Sequence, residues 1–219
     1  MKRRDLIAQS TLMGLSLTLS QGTHAAPVLT PPQTEGPFYP VHKGTESDVD
    51  LTSLKAHKQR AQGEHVHIQM NIKDHLGNSI PNARVEIWQA CASGKYNHPG
   101  DTFHAALDPH FQYQAVMQSD QNGAVRFRTV IPGSYPANAS WDRPPHIHFK
   151  ISIQDRVFLT SQLYFPGQPL NDIDRILLYC AKKYGVEAAR SLIIDFTQND
   201  GALPEGVVNI FLGLTPETE

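Results

Sequence analysis

His65-Val66-His67-Ile68-Gln69-Met70-Asn71-Ile72-Lys73 alternates apolar and polar side chains along its whole length. Val66, Ile68, Met70 and Ile72 fall on one face, and His65, His67, Gln69 and Asn71 on the other. A strand with one face on a core has this pattern. The signal recurs. Ala83–Gln89 carries Val85 and Ile87, while Phe111–Gln118 and Ala124–Val130 flank the hairpin turn Asp120-Gln121-Asn122-Gly123. In Pro145–Ile153, Ile147, Phe149, Ile151 and Ile153 face one way; Val157–Tyr164, Leu192–Thr197 and Val207–Leu212 supply further strands. One segment has helical spacing: Ile173, Ile176, Leu177, Cys180 and Tyr184, with Asn171 or Asp172 to cap it and Gly185 to end it. Short strands separated by turns predict an all-β domain, an antiparallel β-sandwich with one short helix and long loops.

Composition agrees. Of 219 residues, 40% are hydrophobic, which is ample for one core, and 15 Gly with 16 Pro argue against a helical bundle. A net charge of -2 gives no basic stripe for nucleic acid, and two cysteines cannot form a disulfide framework. Cys91 and Cys180 are expected as buried free thiols. Residues 1–26 have the three-part layout of an export signal: Lys2, Arg3 and Arg4, the mildly apolar run Thr11–Leu19, then the small-residue end at Ala25-Ala26. The paired arginines ahead of Leu6 and Ile7 resemble the twin-arginine signal, with an ordinary Sec signal as the alternative. The expected location is therefore periplasmic. The run is too short to span a bilayer and no Cys follows it, so no membrane anchor is expected. From residue 27 to about residue 62 the chain reads as an extended arm, because Pro31, Pro32, Pro37 and Pro40 forbid a helix. The remainder, 27–219 with its arm, is read as one domain.

The densest chemistry lies between Tyr135 and Phe149. His146 and His148 stand two apart in a strand, so both imidazoles project from one face and can share a metal ion. His65 and His67 have the same spacing, and alternation alone does not separate the two pairs. Neighbours do: Arg143, Trp141 and Tyr135 surround the first pair, against Glu64 and Gln69 for the second. A tyrosine ligand must lose a proton from a phenol of pKa about 10, which demands a strongly Lewis-acidic cation. A Tyr/His site therefore points to Fe(III) over zinc or magnesium.

Longer motifs occur in a recognisable order. They are Thr30–Pro40 with Thr34-Glu35-Gly36-Pro37-Phe38-Tyr39; then Gly77, Pro81, Glu86, Trp88, Gly94 and Tyr96; Leu107-Asp108-Pro109; Arg126–Thr129; Tyr135-Pro136; His146–Phe149; and Leu159–Gly167. On these the chain resembles the intradiol ring-cleaving dioxygenases, nearest the protocatechuate 3,4-dioxygenase type.

The resemblance implies four ferric ligands, Tyr96, Tyr135, His146 and His148, with Tyr135 the phenolate that leaves when substrate binds. It implies supporting roles around substrate for Arg143 and Gln162. It also implies a catechol-type substrate and O2, cleavage between the two hydroxylated carbons, and a cis,cis-muconate-type product, with a homo-oligomer or a related subunit as possible partner. Ala137 stands where several relatives carry an aromatic residue, which implies a wider or differently shaped pocket. Two other readings remain open: a transthyretin-like β-sandwich binding module, and a zinc hydrolase that would need a carboxylate or third His beside His146 and His148.

Overall fold

The computed structural model describes residues 27–41, 48–197 and 202–213; the export-signal reading falls on residues 1–26, outside them. The strands are β1 (His65–Asp74), β2 (Arg84–Gln89), β3 (Gln114–Gln118), β4 (Ala124–Val130), β5 (Tyr135–Asn138), β6 (Trp141–Arg143), β7 (His146–Ile153) and β8 (Arg156–Tyr164). A 3-10 turn (Pro169–Asp172), α1 (Arg175–Tyr184), α2 (Val186–Arg190), β9 (Asp195–Thr197) and β10 (Glu205–Leu212) follow. Two four-stranded sheets, β4-β1-β10-β9 and β3-β2-β7-β8, pack face to face, and β5-β6 forms a separate hairpin. The alternation in the sequence is what makes this possible. Val66, Ile68, Met70 and Ile72 of β1 meet Val85 and Ile87 of β2, and Ile147, Phe149 and Ile151 of β7, in one buried cluster. Each such side chain taken fully out of water contributes about 1.5–3 kcal/mol.

Two features depart from the simple antiparallel expectation. β1 pairs with β10 in parallel, Met70 opposite Val208 and Ile72 opposite Ile210. Parallel neighbours need a long crossover, and the chain between these strands supplies it. There is also a second helix, and α1 begins later than Asn171 or Asp172. Its cap is Asp174, whose carboxylate accepts from the amides of Ile176 and Leu177. Asn171 instead lies in the 3-10 turn and donates to the carbonyl of Phe165 at 2.8 Å, and Ile173 points to solvent, 62% exposed. Helix α1 buries Leu177 and Cys180 against Tyr164, Ala189 and Leu192. Cys91 and Cys180 are both free and buried.

The arm is extended, as its prolines require, and is tied down along its length. The Thr30 amide donates to Phe211 O and the Gln33 amide to Thr160 O, while Ser161 Oγ donates to Pro31 O. It thus crosses from β10 to the edge strand β8 and continues over the outer face of the second sheet.

Candidate metal centre

The inward side chains of β7 are apolar, so His146 and His148 necessarily project from the opposite, outer face. Strand register places their partners. Trp88 of β2 lies opposite His148, and His148 lies opposite Gln162 of β8, so three residues distant in sequence form one row across the sheet. In the next row His146 faces Tyr164. In the β5-β6 hairpin Tyr135 sits opposite Arg143. Tyr96 arrives on the loop after β2. Gly94 in that loop has φ +83° and packs so closely on the 134–135 backbone that an added Cβ would stand 2.3 Å from Ser134 O. Only a residue without a side chain permits that approach. It brings the two tyrosines together, with ring centroids 5.4 Å apart and the planes nearly perpendicular.

Four donor atoms converge. His146 Nε2 lies 3.1 Å from His148 Nε2, 3.3 Å from Tyr96 Oη and 3.5 Å from Tyr135 Oη. All four residues are buried. Ligands at about 2.1 Å around one four-coordinate ion stand roughly 3.4 Å from each other, so this spacing fits a shared cation. Ring orientation supports the same conclusion. His146 Nδ1 lies 2.7 Å from Pro144 O, an acceptor, so Nδ1 carries the hydrogen and Nε2 is left with its lone pair. His148 has no hydrogen-bond partner at Nδ1 among the described residues, and packing sets its plane instead. The indole of Trp88 stacks on it, centroids 5.0 Å apart and 6° from parallel. Gly36 of the arm (φ +74°) closes the other side, where a Cβ would come within 3.0 Å of His148 Cε1.

The surroundings set the protonation states of the metal-free chain. Burial holds the Tyr96 phenol well above its usual value, and the neighbouring Tyr135 adds to this. Burial also raises Tyr135, but Arg143 opposes that shift. Burial, with help from Arg143, pushes His146 far below its ordinary range and His148 down to about 3. At neutral pH the site therefore holds two neutral phenols and two neutral imidazoles. Burial works against the charge of Arg143, yet Tyr164, Asp174 and Tyr135 together outweigh it and raise its pKa. The Arg143 Nε donates to Asp174 Oδ2 at 2.8 Å, and an Arg143 terminal amino group donates to Gln162 Oε1 at 2.6 Å. Gln162 Nε2 donates in turn to Thr34 O, and Tyr164 Oη donates to Gln33 Oε1.

The structure thus brings Tyr96, Tyr135, His146 and His148 to one point, with Arg143 and Gln162 beside them. His65 and His67 go elsewhere. His65 accepts from Arg128 and contacts Ala61 O, and His67 is exposed on β1. Among the described residues no group of three His, Cys, Asp or Glu side chains gathers to hold an ion, so the carboxylate or third His that a zinc hydrolase needs is not at His146 and His148. Sequence reading missed Asp174, which links the helix cap to Arg143. Its place directly before an apolar helical run was the available signal.

A β-sandwich bearing a two-tyrosine, two-histidine cluster under a proline-rich arm defines a narrow class of metalloprotein. The family model described as "Dioxygenase" matches residues 34–206. The chain is 40% identical over 136 residues to the protocatechuate 3,4-dioxygenase beta chain of Burkholderia cepacia, covering 59% of this chain and 56% of that protein. It is 27% identical over 186 residues to the hydroxyquinol 1,2-dioxygenase of Corynebacterium glutamicum, covering 78% and 58%. The dioxygenase domain of a dioxygenase–carbohydrate-binding fusion from Streptomyces sp. SirexAA-E shares the fold, with TM-score 0.62, 24% identity and coverage of 85% and 99%. The chain spans little more than half the length of the first two relatives. It belongs to the intradiol ring-cleavage dioxygenase family. Membership implies the family's non-haem iron, and the donor set described above fits that ion.

Proposed function

We propose that this chain cleaves a catechol-type ring between its two hydroxylated carbons with O2, giving a cis,cis-muconate-type diacid. Both oxygen atoms enter the product, so neither an organic cofactor nor an outside reductant is required. Ferric iron held by Tyr96, Tyr135, His146 and His148 would supply Lewis acidity and electron-accepting capacity when bound.

The side chains have separable tasks. Tyr135 lines a cavity of 710 Å³ that also reaches Arg143, whereas Tyr96 does not line it. Tyr135 Oη, deprotonated when it holds the iron, would therefore be the atom placed to take up a catechol proton, and Arg143 works against the burial that raises its pKa. The Arg143 guanidinium, fixed by Asp174 and Gln162, stabilises negative charge on the ring oxygens, an effect strongest where water is excluded. Phe38, Tyr39 and Phe103 pack around Trp88, Tyr96 and Tyr135 and keep water out. His146 and His148, already neutral, offer lone pairs without a proton to lose.

The observation that carries this reading is the convergence of two phenols and two imidazoles within 3.5 Å of His146 Nε2. The test is metal analysis and the visible spectrum of the purified protein, with oxygen uptake on catechol. A red-brown ferric-tyrosinate band, altered in Tyr96→Phe and in Tyr135→Phe, is expected. A colourless, iron-free protein or an unchanged band in both variants refutes the assignment. We also propose export through the twin-arginine route. Arg3→Lys with Arg4→Lys should then leave the protein in the cytoplasmic fraction, and unchanged export would overturn that.

A further inference from the structure

The cavity beside Tyr135 bears on the far end of the substrate. Its 710 Å³ lies within the ~300–1,000 Å³ range of pockets that enclose drug-sized ligands, several times what a bare catechol ring fills. Its walls are mostly apolar, with Phe38 from the arm, Phe103 from the 101–104 loop, Ala137 and Trp141 from the hairpin, and Ile176 from α1. Ala137, exposed on the hairpin, contributes only a methyl group to this wall, where a larger side chain would take up cavity space.

The charges around this cavity are already matched. Arg143 is paired with Asp174 at 2.8 Å, and neither side chain is more than 5% exposed. Asp101 is held by Lys95 at 3.3 Å and by the amides of Tyr96 and Phe103. The first amides of α1, a natural place for an anion, are taken by Asp174 Oδ1. Arg175 lies over Trp141, 5.4 Å from its ring, donates to Ser140 and does not line the cavity. The remaining lining group able to carry positive charge, His104, is exposed at the mouth. With Arg143 turned to the ring oxygens, a carboxylate at the far end of the ring would meet an apolar wall with no unpaired cation among the described lining residues, which is strongly unfavourable; an apolar group would gain from burial there.

We propose that the site selects uncharged catechols bearing an apolar substituent about the size of a second ring, and that Ala137 sets the room for it. The catechol end of this ligand rests on the ring-cleavage reading above; the substituent end rests on the cavity. The proposal separates this chain from a relative named for protocatechuate, a catechol that carries a carboxylate.

The test is anaerobic titration calorimetry of the isolated holoprotein with catechol, 3,4-dihydroxybenzoate, 4-tert-butylcatechol and 3,4-dihydroxybiphenyl, beside oxygen uptake on the same four. We expect 3,4-dihydroxybiphenyl to bind at least about tenfold tighter than 3,4-dihydroxybenzoate, with 4-tert-butylcatechol between them. Ala137→Phe should lower the ratio of biphenyl to catechol affinity about tenfold, and Ala137→Lys should raise the benzoate-to-catechol ratio. The proposal is overturned if 3,4-dihydroxybenzoate binds as tightly as the biphenyl, if none of the four binds, or if Ala137→Phe leaves the ratio unchanged. Should the affinity order hold while no ring is opened, the substituent pocket stands and the ring-cleavage reading falls. Should 3,4-dihydroxybenzoate be cleaved best, the reverse is true.

Discussion

Asp174→Asn attacks a carboxylate that serves two elements at once. Its Oδ1 accepts from the amides of Ile176 at 3.1 Å and Leu177 at 2.8 Å, and its Oδ2 accepts from Arg143 Nε. Both sets of partners are donors. An asparagine has a single acceptor oxygen, so keeping the helix cap turns its amino group against the Arg143 N–H. Asp174 has a fully buried side chain and that of Arg143 is 5% exposed, so the guanidinium loses its counter-charge with no water to replace it. Breaking a buried pair from one side costs about 3–5 kcal/mol. Gln162 Oε1 and Tyr164 Oη still accept from Arg143, which places the expectation near 3 kcal/mol, the lower end. Urea unfolding monitored by circular dichroism reads this directly, and thermal melting should fall by roughly 6–12 °C for a domain of this size. Arg143→Gln in the Asp174→Asn background should recover at least about half of the loss, because the stranded charge is then gone. A loss under about 1 kcal/mol in the single variant, no more than a helix cap contributes, would refute the view that Asp174 carries the arginine's charge.

Gly94→Ala should disturb the metal centre from a distance, since its Cβ would stand 2.3 Å from Ser134 O at a φ of +83°. We expect at least about 2 kcal/mol of destabilisation in denaturant titration and weaker iron retention, because the loop carrying Tyr96 must move off Tyr135. Acid should destabilise the iron-free protein through its two buried imidazoles. The unfolded chain takes up protons near pH 6.5, whereas folded His148 does so only at about 3. Stability is therefore complete above 6.5 and declines toward pH 3, by somewhat over ~1 kcal/mol per pH unit for each such ring; a flat unfolding midpoint across that window would contradict the assigned burial. Iron uptake should release protons, because burial holds both phenols protonated at neutral pH. Calorimetry of iron loading in two buffers of different ionisation enthalpy counts them, and zero release would exclude tyrosinate ligation.

The sandwich was legible because β1 and β7 show an unbroken alternation, joined by Val85 and Ile87 of β2 and Val125 and Phe127 of β4, and those residues do form the core. The direction of pairing was not. Nothing in the side chains of β1 distinguishes a parallel from an antiparallel neighbour, so its pairing with β10 emerges only from the path of the chain. The β5-β6 hairpin was hidden for another reason. It is short, contains Pro136 and is mostly exposed, so it carries no apolar period. His146 and His148 could be placed on one face by spacing alone. The row Trp88–His148–Gln162 depends on register across three strands, which no single stretch encodes. Asp174 was overlooked because the 3-10 turn before it contains two other capping residue types.

The arm between residues 30 and 36 has a role out of proportion to its lack of regular structure. Its backbone carbonyl at Thr34 steadies Gln162, its Gln33 steadies Tyr164, and its Gly36 is pressed against His148. None of these contacts belongs to the interior that joins the two sheets. Without residues 30–37 the main buried cluster would keep all its own side chains, while Gln162, Tyr164 and His148 would lose these contacts. Folding and the order of the site are thus written in different parts of this chain.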